Sequence, residues 1–448
     1  MEPVMYLVGG AVRDAVAAAR AAGADPRDPA RFRLYIEGEA GAGFESESDT
    51  ERDYVVCGLP QDELASELSK LGKCDLVGKS FGVLKFSPDA DCEFLGWKFR
   101  ARARCDIALP RSERSTGEHH RDFAVTFDPS LPIEADLMRR DFTINAMAAS
   151  PDGGLVDPSG GAADLEAKIL RTVFPRSFAD DPLRILRAAQ FAARFEMELD
   201  QKMVEESEHV PLEHISAERI RDELLKGLKL SPRPSMFFRH LERMRKLADA
   251  FPELAAKWDS LPGFYDALDR CPPRLRADAL FYFLDSDSAV FPGSGKGEPA
   301  SAARVLFNRL RFSNDEVIRA SELSAGARIF SMTAQSVDGG GASSRPVVRR
   351  ALKRAIQGGI APAELLEFCG CVTPDAFAKI GGLWQSEVPA ARDYVSAPPI
   401  TGKRLLEMGY ETGPLIGRIL EAVSEAHDRG EIASAIEAEA FVAENYPK

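Results

Sequence analysis

Glu51-Arg52-Asp53-Tyr54-Val55-Val56 is the stretch that decides the fold. Read as a β-strand, it alternates, so Glu51 and Asp53 share one face while Tyr54 and Val56 share the other. At roughly 3.3 Å per residue the two acidic Cα atoms stand about 6.6 Å apart. Carboxylates at that spacing suit Mg²⁺, which is usually held by one or two carboxylates together with substrate phosphates. An isolated acidic pair of this kind is most often a solvated strand start. Its neighbours in the chain have to decide.

Upstream lies Tyr6-Leu7-Val8-Gly9-Gly10-Ala11-Val12-Arg13-Asp14, an apolar strand running through a Gly-Gly turn into a helix. Gly9 and Gly10 let backbone N–H groups approach a phosphate, and a helix N-terminus adds partial positive charge. Arg13 is placed to clamp a phosphate oxygen. Together, LVGGAVRD and ERDYVVCG resemble the opening of class II tRNA nucleotidyltransferases, the bacterial CCA-adding enzymes and their poly(A) polymerase relatives. There the motif reads GGxVRD followed by DxD. The resemblance implies a polymerase-β-like α/β nucleotidyltransferase head, with Glu51 and Asp53 as catalytic metal ligands for Mg²⁺. The chain departs from the pattern twice: Glu51 stands where the family usually has Asp, and residues 18–49 extend a connection that is normally short. The Ala, Gly, Pro and acidic content of that extension predicts a surface loop.

Beyond the acidic strand, 60–70 reads as a helix with Leu64, Leu68 and Leu71 at helical spacing. VGKSFGV, at 77–83, resembles a VGxxFxV stretch of CCA-adding enzymes, whereas poly(A) polymerases carry a more basic sequence there. From Trp97 to Leu109 apolar residues alternate with Lys98, Arg100, Arg102, Arg104 and Asp106, which predicts one long half-buried strand. CDIALPRSERSTG resembles the family strand that supplies a third carboxylate, so the resemblance makes Asp106 the third catalytic acid. Residues 112–133, with His119, His120 and Arg121, read as a mobile loop. Leu137-Met138-Arg139-Arg140-Asp141-Phe142-Thr143-Ile144-Asn145-Ala146-Met147 resembles the RRDFTxNA motif, which handles nucleotide sugar and phosphate. It implies that Arg140 meets phosphate and Asp141 accepts from ribose hydroxyls, guanidinium forks being suited to phosphate.

Asp180-Asp181-Pro182-Leu183-Arg184-Ile185-Leu186-Arg187 opens a helix, with Pro182 at its first position. On the residues alone, Asp181 is a cap with Arg184 as its i+3 partner. The run also resembles the family's EDxxRxxR motif, whose Asp and Arg face the incoming base. That implies nucleotide-binding roles for Asp181, Arg184 and Arg187, while Gln190 replaces an Arg found in many relatives. An Asp–Arg pair matches cytosine and adenine, which both set an amino donor beside a ring-nitrogen acceptor; uracil and guanine present the opposite order.

The remaining pattern is helical. Basic residues recur from Arg219 to Lys246 and again at Arg349, Arg350, Lys353 and Arg354; each cluster reads either as mixed solvated surface or as an RNA-facing groove. Residues 285–300 read as a linker, and the segment ITGKRLLEMGYETGPLIGRILEAVSEAHDRGEI as two helices, the second starting at Pro414. His427-Asp428 lacks the further ligands of a metal-binding HD domain. The expected organisation is a head at 1–150 followed by an all-α neck (151–260), body (261–395) and tail (396–448).

Composition sets limits on function. With 57 basic against 70 acidic residues the formal charge is 57 − 70 = −13, so an RNA substrate needs a local basic groove against a repelling overall field. Hydrophobic content of 45% and charged content of 28% are those of an ordinary soluble protein. Seven cysteines without a CxxC pair fit reduced thiols in a cytoplasm. No apolar run approaches the roughly 20 residues of a membrane span, and no signal peptide is expected. The resemblance implies CTP and ATP as substrates and tRNA as partner, with no membrane or DNA involved. The expected reaction is addition of CMP and AMP to the tRNA 3′ end by two-metal chemistry. CC-only, A-only or poly(A) addition are the enzymatic alternatives, and a catalytically weak RNA-binding protein is the alternative of another class.

Overall fold

The structure is a computed structural model that describes residues 2–38, 52–77, 82–115, 123–285, 301–338 and 345–447. β1 (Val4–Val8) runs into α1 (Gly10–Ala21), then α2 (Pro29–Glu37), β2 (Arg52–Cys57), α3 (Gln61–Ser69), β3 (Gly72–Val77) and β4 (Val83–Pro88). β5 (Cys92–Phe94) and β6 (Trp97–Phe99) form a small hairpin before β7 (Cys105–Ala108). β8 (Arg111–Ser115) pairs with β9 (Phe123–Phe127), and α4 (Ile133–Leu137), β10 (Ala148–Ala149) and β11 (Leu155–Val156) complete the head. Its sheet has the order β11-β10-β1-β2-β7-β4-β3. β2 and β7 run parallel, and the other neighbours pair antiparallel.

Alternation builds this sheet. Val55 and Cys57 join Val8, Ile133, Leu137, Ala146 and Ala148 in one buried cluster. Tyr54, on the opposite face of β2, packs against the rings of Trp97 and Phe99 at 5.4 and 5.5 Å. The indole N–H of Trp97 donates to the Met5 carbonyl at 2.9 Å, which pins the β5–β6 hairpin to β1.

A helical continuation follows: α5 (Gly161–Ala167), α6 (Ser177–Asp180), α7 (Leu183–Phe195), α8 (Gln201–Glu208), α9 (Ala217–Leu230), α10 (Ser235–Arg243) and α11 (Leu247–Ala250), with short parallel strands β12 (Ile169–Leu170) and β13 (Glu198–Leu199). The chain divides into two compact units, Met1–Gly227 with Met236–Ala250, and Leu228–Ser235 with Phe251–Lys448. In its described residues the second unit is helical, from α12 (Pro252–Ala255), α13 (Phe264–Arg270) and α14 (Arg276–Leu284) through α15 (Ala302–Arg309), α16 (Asn314–Asp338), α17 (Arg345–Gln357) and α18 (Pro362–Val372) to α19 (Pro374–Ser396). Phe281, Phe307, Phe330, Phe368 and Trp384 are among its fully buried side chains. α20 (Gly402–Glu407), α21 (Pro414–Arg429) and α22 (Ala435–Asn445) close on a small core of Leu405, Ile419, Val423, Ala438 and Val442.

Several expectations change. The predicted strand 97–109 is broken: Arg102 takes a left-handed φ of 65° between β6 and β7, although Trp97, Phe99, Cys105, Ile107 and Leu109 are all buried. Much of the predicted loop 112–133 is the β8–β9 hairpin, and His119 and His120 lie outside the described residues. The extension after Ala18 is not simply a surface loop. α1 continues to Ala21, and α2, capped by Asp28, buries Phe32 and Ile36. The tail segment 400–432 holds the two expected helices, the second starting at Pro414, and α22 follows it, opened by a Ser434–Glu437 capping box. Linker residues 286–300 lie outside the described residues.

Candidate active site

Asp53 sits exposed at the start of β2, just before the strand turns fully buried at Tyr54. Its register partner across the parallel ladder is Asp106 on β7, and across the antiparallel ladder Val8 on β1. Register partners on adjacent strands point to the same face and lie about 4.8 Å apart, so the two carboxylates are side by side. Lys85, in register with Asp106 on β4, holds its Nζ 3.4 Å from Asp106 Oδ1. Glu51 lies outside the described residues. Among the described residues no three His, Cys, Asp or Glu side chains gather into a complete metal site. Two adjacent carboxylates nevertheless fit Mg²⁺, which completes its shell with water and substrate phosphate oxygens.

Gly9 adjoins these acids. Its φ of 71° lies in the left-handed region, and a Cβ there would stand 3.4 Å from Arg140 Nη1 and 3.8 Å from Asp53 Oδ2. Glycine is favoured there by the left-handed conformation, while a Cβ would make only ordinary contacts. No side chain caps α1, which leaves its first N–H groups suited to an anion. Arg13 is committed elsewhere. Its side chain is 7% exposed, its Nη1 donates to Asn145 Oδ1 at 2.9 Å, Asp14 pairs with it at 2.8 Å, and its guanidinium lies 4.2 Å from the Phe195 ring centroid.

Arg140 is aimed by Asp136, a fully buried carboxylate that pairs with both Arg139 and Arg140. Burial pushes the Asp136 carboxyl up, yet the two guanidiniums outweigh it and hold the group below its ordinary value. Arg140 Nη1 also donates to the Asn145 carbonyl at 3.4 Å, while its buried Nε has no hydrogen-bond partner among the described residues.

Asp141 has its acceptor positions filled. Oδ1 accepts from the Phe142 N–H at 2.8 Å and Asn145 Nδ2 at 3.2 Å; Oδ2 accepts from Arg187 Nε at 2.9 Å and Nη2 at 2.6 Å. A carboxylate offers about four lone-pair sites, so a ribose hydroxyl would have to displace one of these donors. Arg187 reaches Asp141 from α7 and stands 3.7 Å from Glu223 on α9.

Asp181 does not pair with Arg184. One oxygen accepts from the Leu183 N–H at the start of α7 at 3.2 Å, Pro182 being the N-cap, and the other accepts from Arg219 Nη2 at 2.9 Å. Arg184 donates through Nη1 to Ser177 Oγ at 2.7 Å and through Nη2 to the Arg139 carbonyl at 3.1 Å. Gln190 is 2% exposed, so its position faces the interior rather than a phosphate.

Sequence reasoning passed over Asp136, Asn145 and Ser177. Asp136 was legible as an i+3 and i+4 partner of Arg139 and Arg140, whereas the reach of Asn145 to Arg13 and of Ser177 to Arg184 is set by tertiary contact. The basic clusters are largely ion-paired. On the neck, Arg219 meets Asp181, Lys226 meets Glu223, Arg243 meets Glu198, and Lys246, 5% exposed, meets Asp249. On α17, Arg349 meets Glu387, Lys353 meets Asp428 and Arg354 meets Glu322.

The sheet order, with acids on two central strands and a Gly-Gly turn beside them, defines a polymerase-β-like head on a mostly helical body. Comparison with known proteins agrees. The model of the poly A polymerase head domain matches residues 80–171, and that of the probable RNA and SrmB-binding site of polymerase A matches residues 195–257. The multifunctional CCA protein of Chromobacterium violaceum is 32% identical over 341 residues, covering 72% of this chain and 70% of that protein. The multifunctional CCA protein of Pasteurella multocida is 34% identical over 259 residues, 56% of this chain and 50% of that one. The chain belongs to the family of the multifunctional CCA proteins, and it spans about half the length of other curated relatives that it matches, that of Pasteurella multocida among them. The Bacillus stearothermophilus CCA-adding enzyme, solved in complex with CTP, has the same fold, with a TM-score of 0.64 at 20% identity over 99% of this chain and 93% of that one. No described helix is long and apolar enough to cross a membrane.

Proposed function

We propose that this chain adds CMP and AMP to the 3′ end of tRNA, building CCA from CTP and ATP with Mg²⁺. The observation that carries this reading is the register pairing of Asp53 with Asp106 beside the Gly9 turn and Arg140. The CCA product accords with the names of its curated relatives, which are multifunctional CCA proteins.

Asp53 and Asp106, with Glu51, are the residues that hold Mg²⁺. The ion, when bound, supplies Lewis-acid stabilisation of the triphosphate and lowers the pKa of a coordinated hydroxyl. The α1 N-terminus and Arg140 hold phosphate oxygens, so that the α-phosphate meets the tRNA 3′-hydroxyl and pyrophosphate leaves. Asp181 accepts from the amino group of cytosine or adenine, and Arg184 donates to the ring nitrogen. With uracil or guanine the same pair sets acceptor against acceptor and donor against donor. A matched bidentate base contact is worth about 1–3 kcal/mol of discrimination. Asp141 contributes by holding Arg187 against the head, and Arg13 by bracing the glycine turn through Asn145.

The test incubates purified protein with tRNAs lacking CCA, CA or A, each with one labelled nucleotide, and resolves product length. Stepwise completion to CCA with CTP and ATP is expected. Arrest after two cytidines, addition of A alone, or an extended A tail would each replace the proposal by a narrower or different polymerase.

A further inference from the structure

We propose that Ser177 is a positioning residue for base selection, fixing Arg184 so that its Nε–H is the donor presented to the nucleotide. The inference rests on the base-reading role given above to Arg184.

Three oxygens hold the far end of this guanidinium. Ser177 Oγ accepts from Nη1 at 2.7 Å, the Ser177 carbonyl stands 3.4 Å from the same nitrogen, and the Arg139 carbonyl accepts from Nη2 at 3.1 Å. The Phe174 ring lies 5.4 Å from the guanidinium carbon and restricts its plane. Nε takes no partner among the described residues. Ser177 is 0% exposed, so water does not replace its hydroxyl. Removing that hydroxyl leaves Nη1 with the 3.4 Å carbonyl contact alone, so the fork is held firmly only at Nη2 by the Arg139 carbonyl and can pivot about that bond.

Orientation is what selection requires here. The donor must stand at the ring nitrogen, which accepts in cytosine and adenine and donates in uracil and guanine. A released guanidinium can swing toward the neighbouring carbonyl of uracil or guanine and satisfy it. Loss of Ser177 Oγ therefore raises tolerance of the wrong bases and weakens binding of the right ones. The head carboxylates and the tRNA contacts are untouched.

The experiment compares wild type, Ser177→Ala, Ser177→Thr and Arg184→Ala in single-nucleotide addition with each of the four NTPs. Thermal unfolding and tRNA affinity are measured in parallel. For Ser177→Ala the preference for CTP over UTP is expected to fall about tenfold or more, as for a lost hydrogen bond to a charged group. The effect is expected in KM for CTP more than in kcat, with unfolding and tRNA affinity unchanged, and Ser177→Thr restores selection. If Ser177→Ala keeps wild-type selection while Arg184→Ala loses it, the inference is overturned and the base-reading role stands. If Ser177→Ala loses selection only together with its folding midpoint, and Thr does not restore it, Ser177 is structural and the inference again fails. If Arg184→Ala itself selects normally, the reading beneath the inference fails first.

Discussion

Asp141 shows how one carboxylate ties the head to the helix that follows it. Its four donors come from its own turn and from Arg187 on α7. Burial pushes its carboxyl up, but the Arg187 guanidinium, Asn145 and the Phe142 N–H bring it below the ordinary carboxylate value. A folded value below the unfolded one adds stability that is fully present above the ordinary pKa. That stability is lost as pH falls through the folded value. Asp141→Asn leaves Arg187 without its main counter-charge, a change that typically costs about 3–5 kcal/mol. Thermal unfolding from pH 7 to 3 should show a lower midpoint at neutral pH and a shallower loss below about pH 4. His240 acts in a separate window. Burial, aided by Arg243, pushes it down to about 4, so its share of stability is lost between its ordinary pKa of 6.5 and 4 and should persist in the variant. An unchanged midpoint with an unchanged acid limb would show that the pair does not join the two elements.

Among elements, strands and helices with a single apolar period were legible. The β2 strand, the Leu64–Leu68 spacing of α3 and the Pro414 start of α21 all stand where the sequence puts them, although β2 is buried on both faces from Tyr54 to Cys57. Three segments read differently because tertiary contact overrode local pattern. The Trp97–Leu109 alternation continues through a left-handed turn at Arg102, which parity alone does not reveal. The extension hides Phe32 and Ile36, two buried side chains in a nine-residue helix set in an Ala-, Gly-, Pro- and acid-rich stretch. On α17 the basic residues read either as mixed solvated surface or as an RNA-facing groove, yet Lys353 is 4% exposed and reaches Asp428 on α21 at 2.7 Å. Pairing of that kind depends on an acid far along the chain and leaves no local signal. Lys353→Met strands the buried Asp428 carboxylate and should destabilise the second unit by roughly 3–5 kcal/mol. tRNA affinity per folded molecule should stay at the wild-type level. A stable variant with weakened tRNA binding would return this face to RNA.

For the whole molecule the charge of −13 opposes an RNA partner, and many neck cations are spent on neighbouring acids. Affinity for tRNA should therefore come from few phosphate contacts, with each contact contributing a slope of roughly 0.7–0.9 in log affinity against log salt. Arg239 is exposed on α10, and Arg239→Glu should weaken binding and lower that slope by about one contact. An unchanged salt titration would remove α10 from the interface. The site carboxylates were legible as a pair of motifs, but their side-by-side register was not, because strand order cannot be read from spacing. That register is what places two carboxylates at one metal site, and Asp53→Ala tests it directly in one assay: extension of a tRNA lacking CCA with CTP, ATP and Mg²⁺. Asp53 is exposed, so the variant should fold and bind tRNA as wild type does while adding no nucleotide. Near-normal extension by Asp53→Ala would contradict the assignment of catalysis to the β2–β7 carboxylates.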